Sequence, residues 1–331
     1  MTSFLSTISS IASPQLGLGL AALGRPGYIN LGHGVDLAHT YTIGKMEEQA
    51  HRVLDAAWAS GIRYFDAARS YGRAEEFLGN WLRARAIAPG AVTIGSKWGY
   101  TYTANWQVTA EKHEVKEHSL PRLQQQWQES QQHLAGYLRL YQIHSATVDS
   151  GVLTNTAVLR TLAPLKQQGI AIGLSLSGAQ QAATLAQALP VTVDGIHLFD
   201  AVQATWNLLE QSTAAVLQEA HAQGLVVIIK EALANGRLTP RNLAPEFAGK
   251  LGLLQQTAAR LNTSIDALAL AAVLAQPWVT IVLSGAATVE QLHSNVNASI
   301  VQWDEEAAAA LLPLVEAPEL YWAQRSQLAW N

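Results

Sequence analysis

Cysteine is absent from this 331-residue chain, which removes disulfides, thiolate nucleophiles and Cys-ligated zinc from consideration. Charge is scarce as well: 14% of the residues are charged, against roughly 25% in an average soluble protein. With 49% hydrophobic residues, that scarcity suits strands buried on both faces. A basic excess is missing too. The formal net charge is −4, so the chain carries no electrostatic footprint for nucleic acid or an anionic membrane. The longest uninterrupted apolar run, residues 267–275, is far short of the roughly 20 residues a bilayer span needs. The opening Met1-Thr2-Ser3-Phe4-Leu5-Ser6 lacks a basic stretch followed by an apolar one, so no signal peptide is expected. The expected location is the cytoplasm.

What is present is alternation. Short β-rich runs and longer amphipathic ones take turns from end to end. Strands are predicted at 16–20, 62–65, 92–96, 140–143, 171–175, 201–205, 225–230 and 280–283. Helices are predicted at 46–60, 74–85, 121–134, 157–168, 179–188, 212–223, 265–275 and from Val289. Gly61 and Gly169 follow two of them as stop signals. Eight strand-helix units without a linker or a low-complexity segment spell a single-domain (β/α)8 barrel with insertions. Two insertions, 24–45 and 99–118, follow strands and are expected over the barrel mouth, where long loops shape a pocket. The competing doubly wound sheet is invited by Gly17-Leu18-Gly19. The third glycine of a dinucleotide fingerprint is missing, and Pro26-Gly27 interrupts the place where the phosphate-binding helix should begin. The barrel is the better reading.

Chemistry gathers at strand ends. Phe65-Asp66 is followed by Tyr71-Gly72, Ser96 by Lys97, and Ile143 by His144. In a parallel barrel the C-terminal strand ends converge on one mouth, where such enzymes keep their active sites. Taken singly, Asp66 reads as a turn cap, Tyr71 as a core edge, Lys97 as a snorkelling side chain, and His144 as a structural histidine. Together they form a proton-donating constellation. The other nine histidines show no H-E-x-x-H pattern, and the spacing of His113 and His118 puts them on different helical faces. No metal is expected.

These motifs, from Gly17–Gly19 to the helix after Thr288, resemble the aldo-keto reductase family, especially its general bacterial and its aldose or galactose dehydrogenase-like members. The resemblance implies Tyr71 as general acid for a carbonyl oxygen, with Lys97 lowering its pKa from the usual value near ~10. It implies Asp66 as the anchor of Lys97, and His144 as a hydrogen-bond donor to the substrate oxygen. It also implies a nicotinamide cofactor, NADP or NAD, because no side chain can supply a hydride. Ser175 and Gln203 match residues that hold the carboxamide, although Leu176 stands where asparagine is commonest. Lys230 falls where an aromatic usually stacks on the nicotinamide, leaving either Trp206 or apolar contacts to hold the ring. Lys230 with Glu231 reads equally well as a structural ion pair. The pyrophosphate and adenosine would lie along Ser284, Gly285, Ala286 and Thr288, with Gln291 and Asn295 on the following helix.

No Lys or Arg lies between Ser284 and Asn295, so only a weak preference for NADP(H) is expected unless Lys230, Arg237 or Arg241 reaches the site. Trp98, Trp206 and the tail aromatics Tyr321, Trp322 and Trp330 are candidates for an apolar or sugar-stacking substrate pocket. The expected partner is a small carbonyl or sugar substrate, with no nucleic acid and no membrane. The oligomeric state is not legible. The rival reading is a cofactor-binding regulatory subunit of the same fold, with little or no turnover.

Overall fold

The computed structural model describes residues 14–331; the opening residues that bear on a signal peptide lie outside them. Eight parallel strands close into a barrel: β1 (Gln15–Gly19), β2 (Tyr64–Asp66), β3 (Thr93–Trp98), β4 (Leu138–Ala146), β5 (Ala171–Leu176), β6 (Ala201–Thr205), β7 (Val226–Lys230) and β8 (Ile281–Ser284). Each strand pairs with its sequence neighbours, and β1 closes the ring on β8. Helices α1 (Ile43–Ala59), α2 (Ala74–Ala84), α3 (Leu120–Leu134), α4 (Thr156–Leu162), α5 (Gln181–Ala188) and α6 (Ala214–Ala222) follow the first six strands. Two helices, α7 (Ala248–Arg260) and α8 (Ile265–Leu274), follow β7, and α9 (Val289–Val296) follows β8. The chain then adds α10 (Glu305–Leu311) and α11 (Pro318–Ser326). Side-chain oxygens of Ser119, Asn155, Ser264, Thr288 and Asp304 cap five of these helices by accepting a backbone N–H three residues on.

The expected elements all appear, with small shifts. The helix expected over 157–168 stops being α-helical at Leu162 and tightens into a 3₁₀ turn over Ala163–Gln168. Pro164 removes an N–H there. Helices α7, α10 and α11 come in addition to the eight expected.

Because successive side chains of a strand point to opposite faces, each strand divides its residues between the barrel axis and the helical layer. Tyr64, Leu140, Ala171, Ala201, Val226, Ile228, Ile281 and Leu283 form the axial cluster. Phe65, Ile94, Trp98, Tyr141, Ile143, Leu174 and Val282 belong to the larger outer cluster against the helices. Tyr64 fills the axis so closely that glycines must face it. A Cβ at Gly17 would stand 2.9 Å from the Tyr64 ring, and one at Gly95 would collide with the Tyr64 hydroxyl. Gly17 therefore serves barrel packing rather than a phosphate turn, which is why Gly17-Leu18-Gly19 misleads toward a doubly wound sheet.

Two of the outer helices carry buried amides. Gln126 on α3 accepts from the Gly99 N–H (2.8 Å) and donates to the Tyr100 carbonyl (2.8 Å). Gln181 on α5 accepts from the Thr205 N–H (2.9 Å). Both fix the start of a mouth segment to the barrel wall. The 99–118 insertion itself folds back as an antiparallel hairpin, Tyr100–Tyr102 against Glu114–Lys116.

Gly95→Ala should destabilise the fold by about 1–3 kcal/mol, the usual cost of overpacking, measured by urea unfolding. Combining it with Tyr64→Phe removes the colliding hydroxyl, so the double variant should lose less than the sum of the two singles. Strict additivity would show that the backbone, not the hydroxyl, absorbs the extra methyl.

Candidate active site

At the C-terminal end of the barrel, the axial face changes from apolar to polar. Asp66, Lys97, Gln142, His144 and Gln203 continue the inward rows of β2, β3, β4 and β6, and all five are buried. A naked carboxylate here would be costly, and Asp66 is fully met. Its Oδ2 pairs with the Lys97 ammonium. Its Oδ1 accepts from Gln203 Nε2 (2.9 Å), Tyr64 Oη (3.2 Å) and Gln142 Nε2 (3.4 Å). Lys97 also donates to the Ala67 carbonyl (3.0 Å) and toward Tyr71 Oη (3.5 Å).

Tyr71 follows β2 in a loop pressed onto the segment after β1. A Cβ at Gly24 would overlap the Tyr71 carbonyl, and the Arg73 N–H donates to the Gly24 carbonyl at 2.8 Å. The phenol ring meets the His144 ring edge-on at 5.5 Å, and Ser70 Oγ lies 3.4 Å from His144 Nδ1. The fold thus brings Asp66, Tyr71, Lys97 and His144 together.

Their electrostatics differ from the expectation in one respect. Burial, and then the Asp66 carboxylate, drive the Tyr71 phenol well above its ordinary range, with only Arg25 pulling back appreciably. Lys97 does not bring it toward neutrality, because its ammonium is engaged by Asp66. The phenol is held protonated. His144 is driven well below its usual value by burial, then by the charges of Lys97, Lys230 and Arg25. It is a neutral imidazole.

A cleft of about 630 Å³ opens over this floor. Asp66, Tyr71, His144, Gln203, Lys230, Ser284, Gly285, Ala286, Gln291 and Asn295 line it. Lys97 lies buried outside this lining, and four further sequence candidates do not line it either. Trp98 is fully buried on the outer face of β3, edge-on to His118 at 5.7 Å; with Lys97 facing inward, the pleat forces its neighbour outward. Trp206 likewise packs outward against Trp278 at 5.6 Å, where no ring can stack on it from the cleft. Ser175 is buried, its Oγ accepting from the Ser145 N–H (2.8 Å), so Ser145 and Ser177 face the cleft instead. Thr288 caps α9 through the Gln291 N–H (3.2 Å).

Sequence reasoning missed three contributors. Arg25, only 3% exposed, bonds the Ser70 carbonyl (3.0 Å) and Glu114 (2.9 Å) and lies 5.3 Å from the Tyr71 ring centre. Glu231, in a left-handed conformation with φ 57°, receives a forked ion pair from Arg325 at 2.5–3.0 Å. Finally, the chain end crosses the mouth. Asn331 and Tyr28 exchange backbone hydrogen bonds of 3.2 Å, and Trp330 stacks on His113 at 3.9 Å. Each of these joins segments far apart in the chain, and no local pattern announces them; the only cue was the aromatic tail itself.

At the β8 end, Asn295 accepts from Ser284 Oγ (2.8 Å) and donates to Asp266 (3.1 Å) and the Gln291 carbonyl (3.2 Å). Gln291 accepts from the Ala287 N–H (2.8 Å). Asp266 and Glu290 also line this cleft. Arg241, a cleft-lining cation, has both terminal nitrogens on Asp36, at 2.8 and 2.5 Å. Among the described residues no group of three His, Cys, Asp or Glu is placed to hold a metal, and no helix is long and apolar enough to cross a membrane.

Residues 16–315 match the Aldo/keto reductase family. Aldo-keto reductase str7 of Strobilurus tenacellus is 24% identical over 328 residues, covering 92% of this chain and 88% of its own. The uncharacterized oxidoreductase YqkF of Bacillus subtilis (strain 168) is 26% identical over 310 residues, covering 86% of this chain and 93% of its own. The solved holo form of aldo-keto reductase AKR11C1 from Bacillus halodurans superposes with a TM-score of 0.68 over 92% of each chain, at 20% identity, a likeness of fold.

Arg325 and Lys230 hold the buried Glu231 carboxyl down to about 2, against the cost of its burial. A depressed carboxylate adds stability that is complete above its unfolded value near ~4.5 and drains away as pH falls toward 2. Arg325→Met should therefore cost about 3–5 kcal/mol near neutral pH, as expected for a broken buried pair. Glu231→Gln should flatten the acid limb of the stability profile between pH about 4.5 and 2. An unchanged acid limb in Glu231→Gln would show that the pair does not hold the tail.

Proposed function

The chain belongs to the aldo/keto reductase family and is an oxidoreductase; from that premise we propose that it reduces a small carbonyl compound with a nicotinamide cofactor, Tyr71 giving the proton. The observation that carries this reading is the grouping of Tyr71 on the cleft floor with the His144 ring edge-on to it and the Lys97 ammonium of the Asp66–Lys97 pair near its hydroxyl. The cleft suits a dinucleotide at its β8 end. Gly285 has open space where a side chain would stand, and the first N–H groups of α9 offer the positive end of a helix dipole to phosphate. Gln203 and Ser145 are polar groups placed for the carboxamide, and Ser284, Gly285, Ala286, Gln291 and Asn295 for the rest. A bound reduced nicotinamide supplies the hydride that no side chain can.

The chain's own part is to hold the oxygen and deliver a proton. In the tautomer with the hydrogen on Nε2, His144 Nδ1 would accept from Ser70 Oγ, 3.4 Å away, and Nε2 could donate to the substrate oxygen. Tyr71 releases its proton to that oxygen as negative charge develops there, and Lys97 lies close enough to steady the phenolate left behind. The intact proton-donating set speaks against the rival reading of a regulatory subunit without turnover.

Tyr71→Phe should lower turnover by about 10²–10⁴-fold with cofactor affinity kept; near wild-type turnover with chemistry rate-limiting would sink the role. The field of the ion pair adds a signed test. Asp66→Asn removes a charge that raises the phenol pKa, so the alkaline limb of kcat/KM should move to lower pH. Lys97→Met leaves Asp66 unopposed, and the limb should move up. Shifts of the same sign would mean the pair acts through structure alone.

The cofactor assignment rests on the same kind of charge accounting. Glu290 and Asp266 line the cleft near α9, and Arg241 is taken by Asp36. Among the described residues, no free guanidinium is therefore offered to an adenosine 2′-phosphate at that end. NADP(H) should bind with at most a weak advantage over NAD(H). Tryptophan-fluorescence titration of both decides it: a preference for NADPH above ~100-fold, about 2.7 kcal/mol, would mean that a cation does reach the phosphate.

A further inference from the structure

Around Tyr71 and His144 the cleft is lined by three cations, Arg25, Lys230 and Arg325, and three carboxylates, Asp66, Glu114 and Glu231, with the Lys97 ammonium buried on Asp66. The pairing is unequal. Asp66 answers Lys97, and Glu114 answers Arg25. Glu231 is claimed by Arg325, whose Nε reaches both carboxylate oxygens (3.0 and 2.9 Å) and whose Nη2 reaches one (2.5 Å). Thr205 Oγ1 donates to the same carboxylate at 3.1 Å. Lys230 is left with Thr205 Oγ1 at 2.8 Å and a looser approach to Glu231 at 3.5 Å. An ammonium has three N–H donors, and at least one remains for the cleft that Lys230 lines, its side chain 16% exposed. Arg25, which also lines the cleft, bonds through Nη1 only.

An under-compensated cation in a confined cleft is a cost in the empty protein that an anion removes. We propose that the substrate is a carbonyl compound carrying a carboxylate, and that Lys230 anchors this carboxylate. The proposal rests on the reading of the chain as a carbonyl reductase and narrows its substrate class. The same ammonium would suit a phosphate of the cofactor, and the test separates the two. Burial, opposed by Glu231 and reinforced by Arg325 and Lys97, lowers Lys230 to about 8, while Trp322 packs 5.7 Å away without charge. Recognition of the anion should therefore be complete below pH about 8 and fade above it as the ammonium loses its proton.

Two aldehydes of matched shape probe this: para-carboxybenzaldehyde and its neutral amide, para-formylbenzamide. The wild type should favour the carboxylate by tenfold or more in kcat/KM at pH 7. Lys230→Met should collapse that ratio by about tenfold, Lys230→Arg should retain most of it, and the wild-type ratio should fall above pH about 8. A ratio untouched by Lys230→Met overturns the proposal. So does a loss confined to NADH affinity, equal for both aldehydes, which would assign Lys230 to the cofactor phosphate. Titration calorimetry with the two aldehydes reads the same preference without turnover. Tighter carboxylate binding in a protein that reduces neither compound would uphold the anchor and defeat the reductase reading; equal binding with brisk turnover of both would do the reverse.

Discussion

The mouth of the barrel is organised around one carboxylate that cannot be left alone. Asp66 is buried among strand ends, and an unpaired charge there would cost several kcal/mol. Its partners come from four strands: Tyr64 on its own β2, Lys97 on β3, Gln142 on β4 and Gln203 on β6. Satisfying Asp66 therefore fixes the relative heights of half the barrel's strands. The requirement reaches downward as well. Tyr64 must rise along the axis to meet Oδ1, and Gly17 and Gly95 must be glycine to let its ring and hydroxyl through. It also reaches upward, because Lys97, held by Asp66 and the Ala67 carbonyl, is left pointing at the Tyr71 oxygen.

How much of this was legible depends on the range of each interaction. Strand ends marked Asp66, Lys97 and His144 because β-rich runs stop there, and the parallel barrel then carries all three to one place. The pleat was legible too, and overlooking it misplaces Trp98. An inward Lys97 dictates an outward neighbour, so Trp98 belongs with His118 and the helices. The same parity sends Trp206 outward beside Gln203 and Thr205. Ser175 has the right parity but lies below the cleft, beneath the bulge where β4 and β5 lose register between Ile143 and Ala146; a bulge of that kind leaves no mark in a single sequence.

The sign of the Tyr71 shift was not legible for a different reason. From residue types alone, a lysine beside a tyrosine suggests a lowered phenol pKa. In the folded barrel that lysine is paired with an aspartate, whose charge raises the phenol pKa further. Desolvation then has no strong opponent, and it favours the neutral form. On the chemistry we propose, the tyrosine would wait protonated, and Lys97 would matter when the proton has left rather than before.

Long-range charge pairing was the least legible layer, and it is what gives this cleft its character. Glu231 follows β7 and Arg325 sits on α11, 94 positions on in the chain; Arg25 and Glu114 are 89 apart. Each pair joins a loop over the mouth to another loop or to the tail, so the walls of the cleft are tied by ion pairs while its floor is tied by Asp66. Walls closed this way must have their charges met locally, since little water reaches them. Arg325 is met, and Arg25 through Nη1; Lys230 is met only in part, because the carboxylate beside it on the chain has been drawn to the tail. Fastening the tail across the mouth and leaving a cation free for the cleft are thus two results of the same fork between Glu231 and Arg325.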